Sequence, residues 1–221
     1  MIARVSAILR RPTTVAGAAL LAVLLALFLA PEVLAFPYEQ RFGATVVHAE
    51  RPIDARLQAE LARADQLLRA SPVNDPQAPR RLFLTAGGWR WKLLSFGSDA
   101  FAFRRPFSSA ILFNRSDMAA DRIFNGRAVA GERTLSGVIA HETTHLLVAR
   151  HIGEWRARFL PTWKQEGYAD YVAQESSLSD ADAVAMRARG EAAPALFYYD
   201  ARRRVAGFLA ARGGSVDALL E

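Results

Sequence analysis

His141-Glu142-Thr143-Thr144-His145 sets two imidazoles four residues apart, with a carboxylate beside the first. In a helix, residues four apart share one face, one turn above the other. Two imidazoles so placed can hold one Zn²⁺, and the Glu after the first reaches a water on the same metal. The flanks read as helix. Leu135, Val138, Ile139, Glu142, His145, Leu146 and Ala149 recur at three- and four-residue steps, which turns the motif inward. A chain of this composition carries the pattern by chance about four times in a thousand, so the motif alone does not decide.

A hydrolytic zinc site needs three protein ligands and one position kept for water. The third ligand is sought in Pro161-Thr162-Trp163-Lys164-Gln165-Glu166-Gly167-Tyr168-Ala169-Asp170-Tyr171. Thr162 and Gln165 fit a capping box, predicting a second helix that starts just before Glu166 and can point its carboxylate back at the first helix. Asp170 is one turn further on the same face, placed to accept the second ring N–H of a ligand His. His151 competes for the third position, since it follows His141 by ten residues, the spacing of the third His in metzincins. That pattern needs a Gly seven residues after the first His, where the chain turns back. Val148 occupies the position here, and nothing breaks the helix before Gly153. His151 then points away from the shared face and suits the negative end of the helix dipole.

His141-Glu142-x-x-His145 followed by Trp163-x-x-Glu166-Gly167-x-Ala169-x-Tyr171 resembles the gluzincin metallopeptidases. It is most similar to the branch with the membrane alanyl aminopeptidases and small peptidase-MA-like proteins. The resemblance covers residues 135–175. It implies His141, His145 and Glu166 as zinc ligands, Glu142 as general base and Asp170 as the carboxylate behind the ligand shell. No Gly-x-Met-x-Asn-type exopeptidase signature lies upstream, so the aminopeptidase specificity of that branch is not implied.

Around this site the chain reads as one exported domain. Residues 12–31 carry no charge, which is enough to span a bilayer. Arg4, Arg10 and Arg11 before the run and Glu32 after it place the N-terminus in the cytoplasm and the remainder outside, periplasmic or extracellular. The competing reading is a signal peptide cleaved near Ala35, after Val33-Leu34, giving a secreted domain. Residues 1–35 are thus anchor or signal and 36–221 the domain. With no Cys, a disulfide framework and a thiolate metal site are excluded. Of the formal charge of +6, three units come from those N-terminal arginines. The rest is scattered, and Arg202-Arg203-Arg204 suits a solvated helix face, so no nucleic-acid partner is expected.

The elements predicted in order are a linker over 36–42, a strand at Ala44–His48, an amphipathic helix over 53–70 and a proline-rich loop at Ser71–Pro79. On the wet side of that helix, Glu60/Arg63 and Asp65/Arg69 are expected to pair. A strand at Leu82–Thr85, a short helix at Trp89–Phe96, and strands at Phe101–Phe103 and Ala110–Asn114 follow. The gluzincin resemblance makes the strand before the zinc helix a sheet edge on which substrate backbone pairs. Asp117–Gly131 reads as loop with a helical turn. A third helix runs from Ser179 to Gly190, and a last one follows Tyr198 and Tyr199. Tyr hydroxyls commonly donate to the oxyanion in zinc peptidases, which makes Tyr198 and Tyr199 candidates beside a plain packing role. Strands come first and helices second, which argues α+β with the zinc helix at the junction.

The expected chemistry is hydrolysis of a peptide or protein substrate by metal-activated water, with Glu142 as base. The alternative is a non-catalytic, zinc-stabilised binding module tethered to the membrane.

Overall fold

The structure, a computed structural model, describes residues 12–221. Pro12–Leu29 forms α1. Its 18 residues extend about 27 Å, a few ångströms short of a ~30 Å hydrocarbon core. Among the described residues, no helix is long and apolar enough to cross a membrane. Arg4, Arg10 and Arg11, on which the sidedness expectation rests, lie outside the described residues.

A 3-10 turn at Pro31–Leu34 leads from α1 into the folded unit. This segment is held by the domain. Glu32 pairs with Arg81, and the Arg90 guanidinium donates to the Leu34 and Ala35 carbonyls. The predicted linker is a strand instead: β1 (Tyr38–Phe42) folds back on β2 (Thr45–Ala49) through Gly43 at φ +58°. Tyr-Glu-Gln-Arg-Phe has no alternation to betray it, because β1 is an exposed edge strand.

The main sheet has five strands in the order β1-β2-β3-β5-β4, where β3 is Arg80–Leu84, β4 Ala102–Arg104 and β5 Ala110–Phe113. Pairings β2–β3 and β3–β5 are parallel, and the two edges are antiparallel, so the sheet is mixed. Parallel strands covered on both faces need apolar side chains in both directions. Leu82-Phe83-Leu84 and Ala110-Ile111-Leu112-Phe113 supply them, all buried. On one face Val47, Leu82, Leu84, Ile111 and Phe113 join the large core under α2 (Leu57–Leu68) and the motif helix α4 (Leu135–Ile152). On the other, Phe83, Ala110 and Leu112 pack with Trp91 and Leu94 of α3 (Trp89–Leu94) and with Leu34 and Phe36. The fold is therefore mixed α/β, with helices already interleaved among the strands and a helical C-terminal half.

On α2 the expected surface pairs do not form. Glu60 lies three residues after Leu57 and four before Ala64, hence on the core face, and is 2% exposed. Arg63 instead approaches Asp121, and Asp65 pairs with Arg80.

The stretch expected as loop, Asp117–Gly131, holds β7 (Arg122–Phe124), the middle strand of a second sheet whose outer strands, β6 (Arg115–Asp117) and β8 (Glu132–Thr134), flank it. Then come α4, α5 (Glu154–Phe159), α6 (Thr162–Ala173), α7 (Asp180–Ala188), α8 (Pro194–Ala211) and α9 (Val216–Leu220). Tyr198 and Tyr199 fall inside α8 rather than before it.

Candidate metal centre

The start of α4 is tied down firmly. Thr134 is its N-cap, accepting from the Gly137 N–H, which meets one of the unpaired donors of the first turn. Glu175, just past α6, accepts from both the Thr134 N–H and its hydroxyl, and Asp121 accepts from the Ser136 N–H and hydroxyl. The helix then runs unbroken to Ile152 and stops at Gly153, whose φ of +88° a side chain would oppose. Leu135, Val138, Ile139 and Ala140 fix its inner face, and His141 and Glu142 are nearly as buried as these core residues.

His141 and His145 lie one turn apart, their rings nearly perpendicular and their Nε2 atoms 3.1 Å from each other. Glu166 closes the triangle, its two carboxylate oxygens 3.4 Å from His141 Nε2 and 3.6 Å from His145 Nε2. Two imidazole nitrogens and a carboxylate at 2.0–2.1 Å from a tetrahedral zinc stand about 3.3 Å apart. The three spacings lie near that value, those from Glu166 being to its two different oxygens, so this group could hold a metal ion such as zinc. Among the described residues this is the group of His and acidic side chains whose donor atoms converge in this way.

Behind the triangle, Asp170 Oδ1 lies 2.7 Å from His141 Nδ1 and 3.0 Å from an Arg133 guanidinium nitrogen. A carboxylate on Nδ1 holds a ring proton there, so Nε2, facing Glu166 and His145, is the nitrogen a metal would take in exchange for its proton. Burial alone would raise the Asp170 carboxyl, but Arg133 and His141 outweigh it and hold it below its ordinary value. His141 is the converse: burial works against its charge, yet Asp170 and Glu166 raise it to about 10. Glu166 is held low, as the two imidazoles overcome the cost of its burial. Glu142 is not a member of the triangle. Burial raises its carboxyl, against the opposing pull of the His141 and His145 imidazoles.

Of the two strands expected before the zinc helix, β4 is the sheet edge. Ala110–Phe113 is an internal strand, fully buried between β3 and β4, while Ala102–Arg104 borders the motif helix. Arg104 also forms a two-pronged ion pair with Glu154, both contacts at 2.8 Å, which clips the edge strand to α5. A cleft of about 1030 Å³ opens here between β4, α4, α6 and α8. His141, Glu142, His145 and Glu166 line its floor.

Glu166 reaches the triangle without the predicted capping box. Thr162 is already helical, Pro161 is the N-cap, and the Gln165 amide donates to the Leu160 carbonyl. The placement comes from packing. A Cβ on Gly167 would stand 2.4 Å from the Ala201 carbonyl oxygen, so only glycine lets α8 press this closely on α6 beside Glu166. The same contact brings Tyr198 into the cleft, where burial and the nearby Glu166 and Asp170 raise its phenol. Tyr199 is turned away, its hydroxyl donating to Asp180 at 2.7 Å and accepting from Arg203. It is thereby removed as a transition-state donor. His151 is exposed and pairs with Asp217 at 2.7 Å, outside the triangle. The residues the sequence reading missed here are Arg133 and Arg104, and Gly167 was read as part of a motif but not as a packing contact. Only Gly167 left a signal, as a glycine inside a helix interior.

Comparison with known protein families, curated proteins and solved structures returned no match for this chain.

Proposed function

We infer that the chain is a zinc-dependent peptidase of gluzincin type. The observation that carries this is the triangle of His141, His145 and Glu166 at zinc-ligand spacing, with Glu142 beside it at the floor of an open cleft. A zinc ion bound there supplies a Lewis acid that acidifies water and polarises a carbonyl. Asp170 orients His141 for it. Glu142, kept from the ligand triangle and raised by burial, accepts the proton of the attacking water and returns it to the leaving amine. Extended substrate backbone pairs along β4, which is the last strand of the sheet among the described residues. Tyr198, which lines the same cleft, serves as donor to the developing oxyanion in this reading. A binding module stabilised by zinc would have no use for Glu142 and would tend to fill a fourth position with protein.

We also infer that the apolar run at 12–31 anchors the domain on the non-cytoplasmic side. Retention is favoured over cleavage near Ala35, because Glu32, Leu34 and Ala35 all bind the folded domain and cleavage would strip Glu32 and Leu34 from it.

Zinc analysis with a peptide-library digest tests the peptidase reading. Wild type should bind one zinc and cleave, whereas Glu142→Gln should keep the zinc and lose at least ~10²-fold in hydrolysis. Full turnover in that variant would remove Glu142 from its role.

A further inference from the structure

Large exposed aromatics gather where α1 meets the domain. Trp89 is 60% exposed, Phe96 74%, Phe107 56%, Trp155 68% and Phe159 80%. They connect through contacts rather than lying scattered. The Arg90 guanidinium stacks 4.7 Å over Trp89 while holding the Leu34 and Ala35 carbonyls. Arg105 lies between Phe28 of α1, at 4.6 Å, and Phe96, at 5.6 Å. Arg81 joins the Leu29 carbonyl to Ser108, next to Phe107, whose ring meets Trp155 at 5.1 Å. Phe159 is one helical turn beyond Trp155 on α5 and shares its side. The cations around them are numerous. Arg105 is 2% exposed and has no carboxylate among the described residues, only the Leu94 carbonyl, and Lys92, Arg156 and Arg158 are exposed.

A folded domain seldom leaves this much aromatic surface to water without a use for it. Trp and Phe with Arg and Lys around them are the side chains that settle at the boundary of lipid and water, where rings enter the headgroup layer and cations meet phosphates. We propose that this face seats the domain on an anionic bilayer surface. The proposal rests on α1 being a membrane anchor, since α1 is what brings the surface to lipid. Because Phe107 and Trp155 also line the rim of the metal cleft, the cleft then opens beside the bilayer. Its reach falls on polypeptide lying at the membrane surface.

The absence of cysteine allows a single reporter per chain. Full-length Phe96→Cys and Phe159→Cys carry an environment-sensitive dye in nanodiscs of phosphatidylcholine, with or without phosphatidylglycerol. Gln66→Cys serves as control, on the exposed side of α2 across the sheet from Trp91 and Phe36. Dyes at 96 and 159 should shift to the blue and be quenched by lipids brominated near the headgroup, more so with phosphatidylglycerol, while the dye at 66 stays in water. Chains that enter nanodiscs yet leave all three dyes in water overturn the seating and spare the anchor. Chains that never enter nanodiscs overturn both. Neither outcome needs turnover, so the peptidase reading stands or falls separately.

Discussion

Replacing Asp170 tests whether the residues behind the triangle set its affinity for zinc. Asp170 Oδ1 takes His141 Nδ1 at 2.7 Å and Arg133 at 3.0 Å, in a site 1% exposed. Removing such a partner of a ligand His costs roughly 10- to 100-fold in metal affinity, about 1.4–2.7 kcal/mol. Asp170→Asn keeps an acceptor oxygen and loses only the charge, so it belongs near the ~10-fold end. Asp170→Ala removes both contacts and belongs near ~100-fold. Both variants leave the buried Arg133 without its carboxylate charge, a loss of about 3–5 kcal/mol in folding for Ala, of which Asn should spare only the part carried by the hydrogen bond. Zinc affinity is read by competition with a chelating dye at fixed pH, and stability by urea unfolding of the zinc-free chain. If both variants bind zinc as tightly as wild type while still folded, Asp170 does not orient His141 and the account of the inner site fails.

Glu60 makes a prediction about pH. Burial, with Asp121 close by, raises its carboxyl from 4.5 to about 7. The unfolded chain therefore gives up this proton more readily, and stability falls as pH rises from 4.5 towards 7. Glu60→Gln should change little at pH 4 and stabilise at pH 8 by about 1–2 kcal/mol, below the ~3 kcal/mol that the full shift would set. Urea unfolding at the two pH values checks this, and an equal effect at both would show that the charge of Glu60 is not at issue. Gly167→Ala should destabilise by about 1–3 kcal/mol despite the better helix propensity of Ala, because its methyl meets the Ala201 carbonyl. A neutral or stabilising effect in the same assay would mean that α6 and α8 are less closely packed.

The parts of the molecule that were legible in the sequence are those fixed by local period. His141 and His145 share a face because 3.6 residues make a turn, and the apolar steps around them say which way that face points. The same rule put Asp170 one turn beyond Glu166. Glu166 itself was found through the spacing of Trp163 to Tyr171, but the local reason offered, a Thr162 cap, was not the operative one. Pro161 starts the helix, and the α6–α8 contact at Gly167 aims it. Such a contact joins residues thirty-four apart in the chain, which no periodicity records. Tyr198 and Tyr199 were indistinguishable by type. Packing across that contact turned one to the cleft and the other to Asp180. Strands were missed where they were short or wet: β1 buries almost nothing, and β6 to β8 have three residues each. Which strand is the edge was not decidable, because β4 and β5 are neighbouring apolar runs whose order in the sheet follows from pairing alone.

The claim at the centre is that Glu166, and not His151, completes the site. Zinc titration of Glu166→Ala beside His151→Ala tests it most directly. His151 pairs with Asp217 near the end of α4, far along the helix from the triangle. Its removal should leave tight one-to-one binding within a few-fold of wild type, while Glu166→Ala should abolish it. Tight zinc retained in Glu166→Ala and lost in His151→Ala would contradict the account.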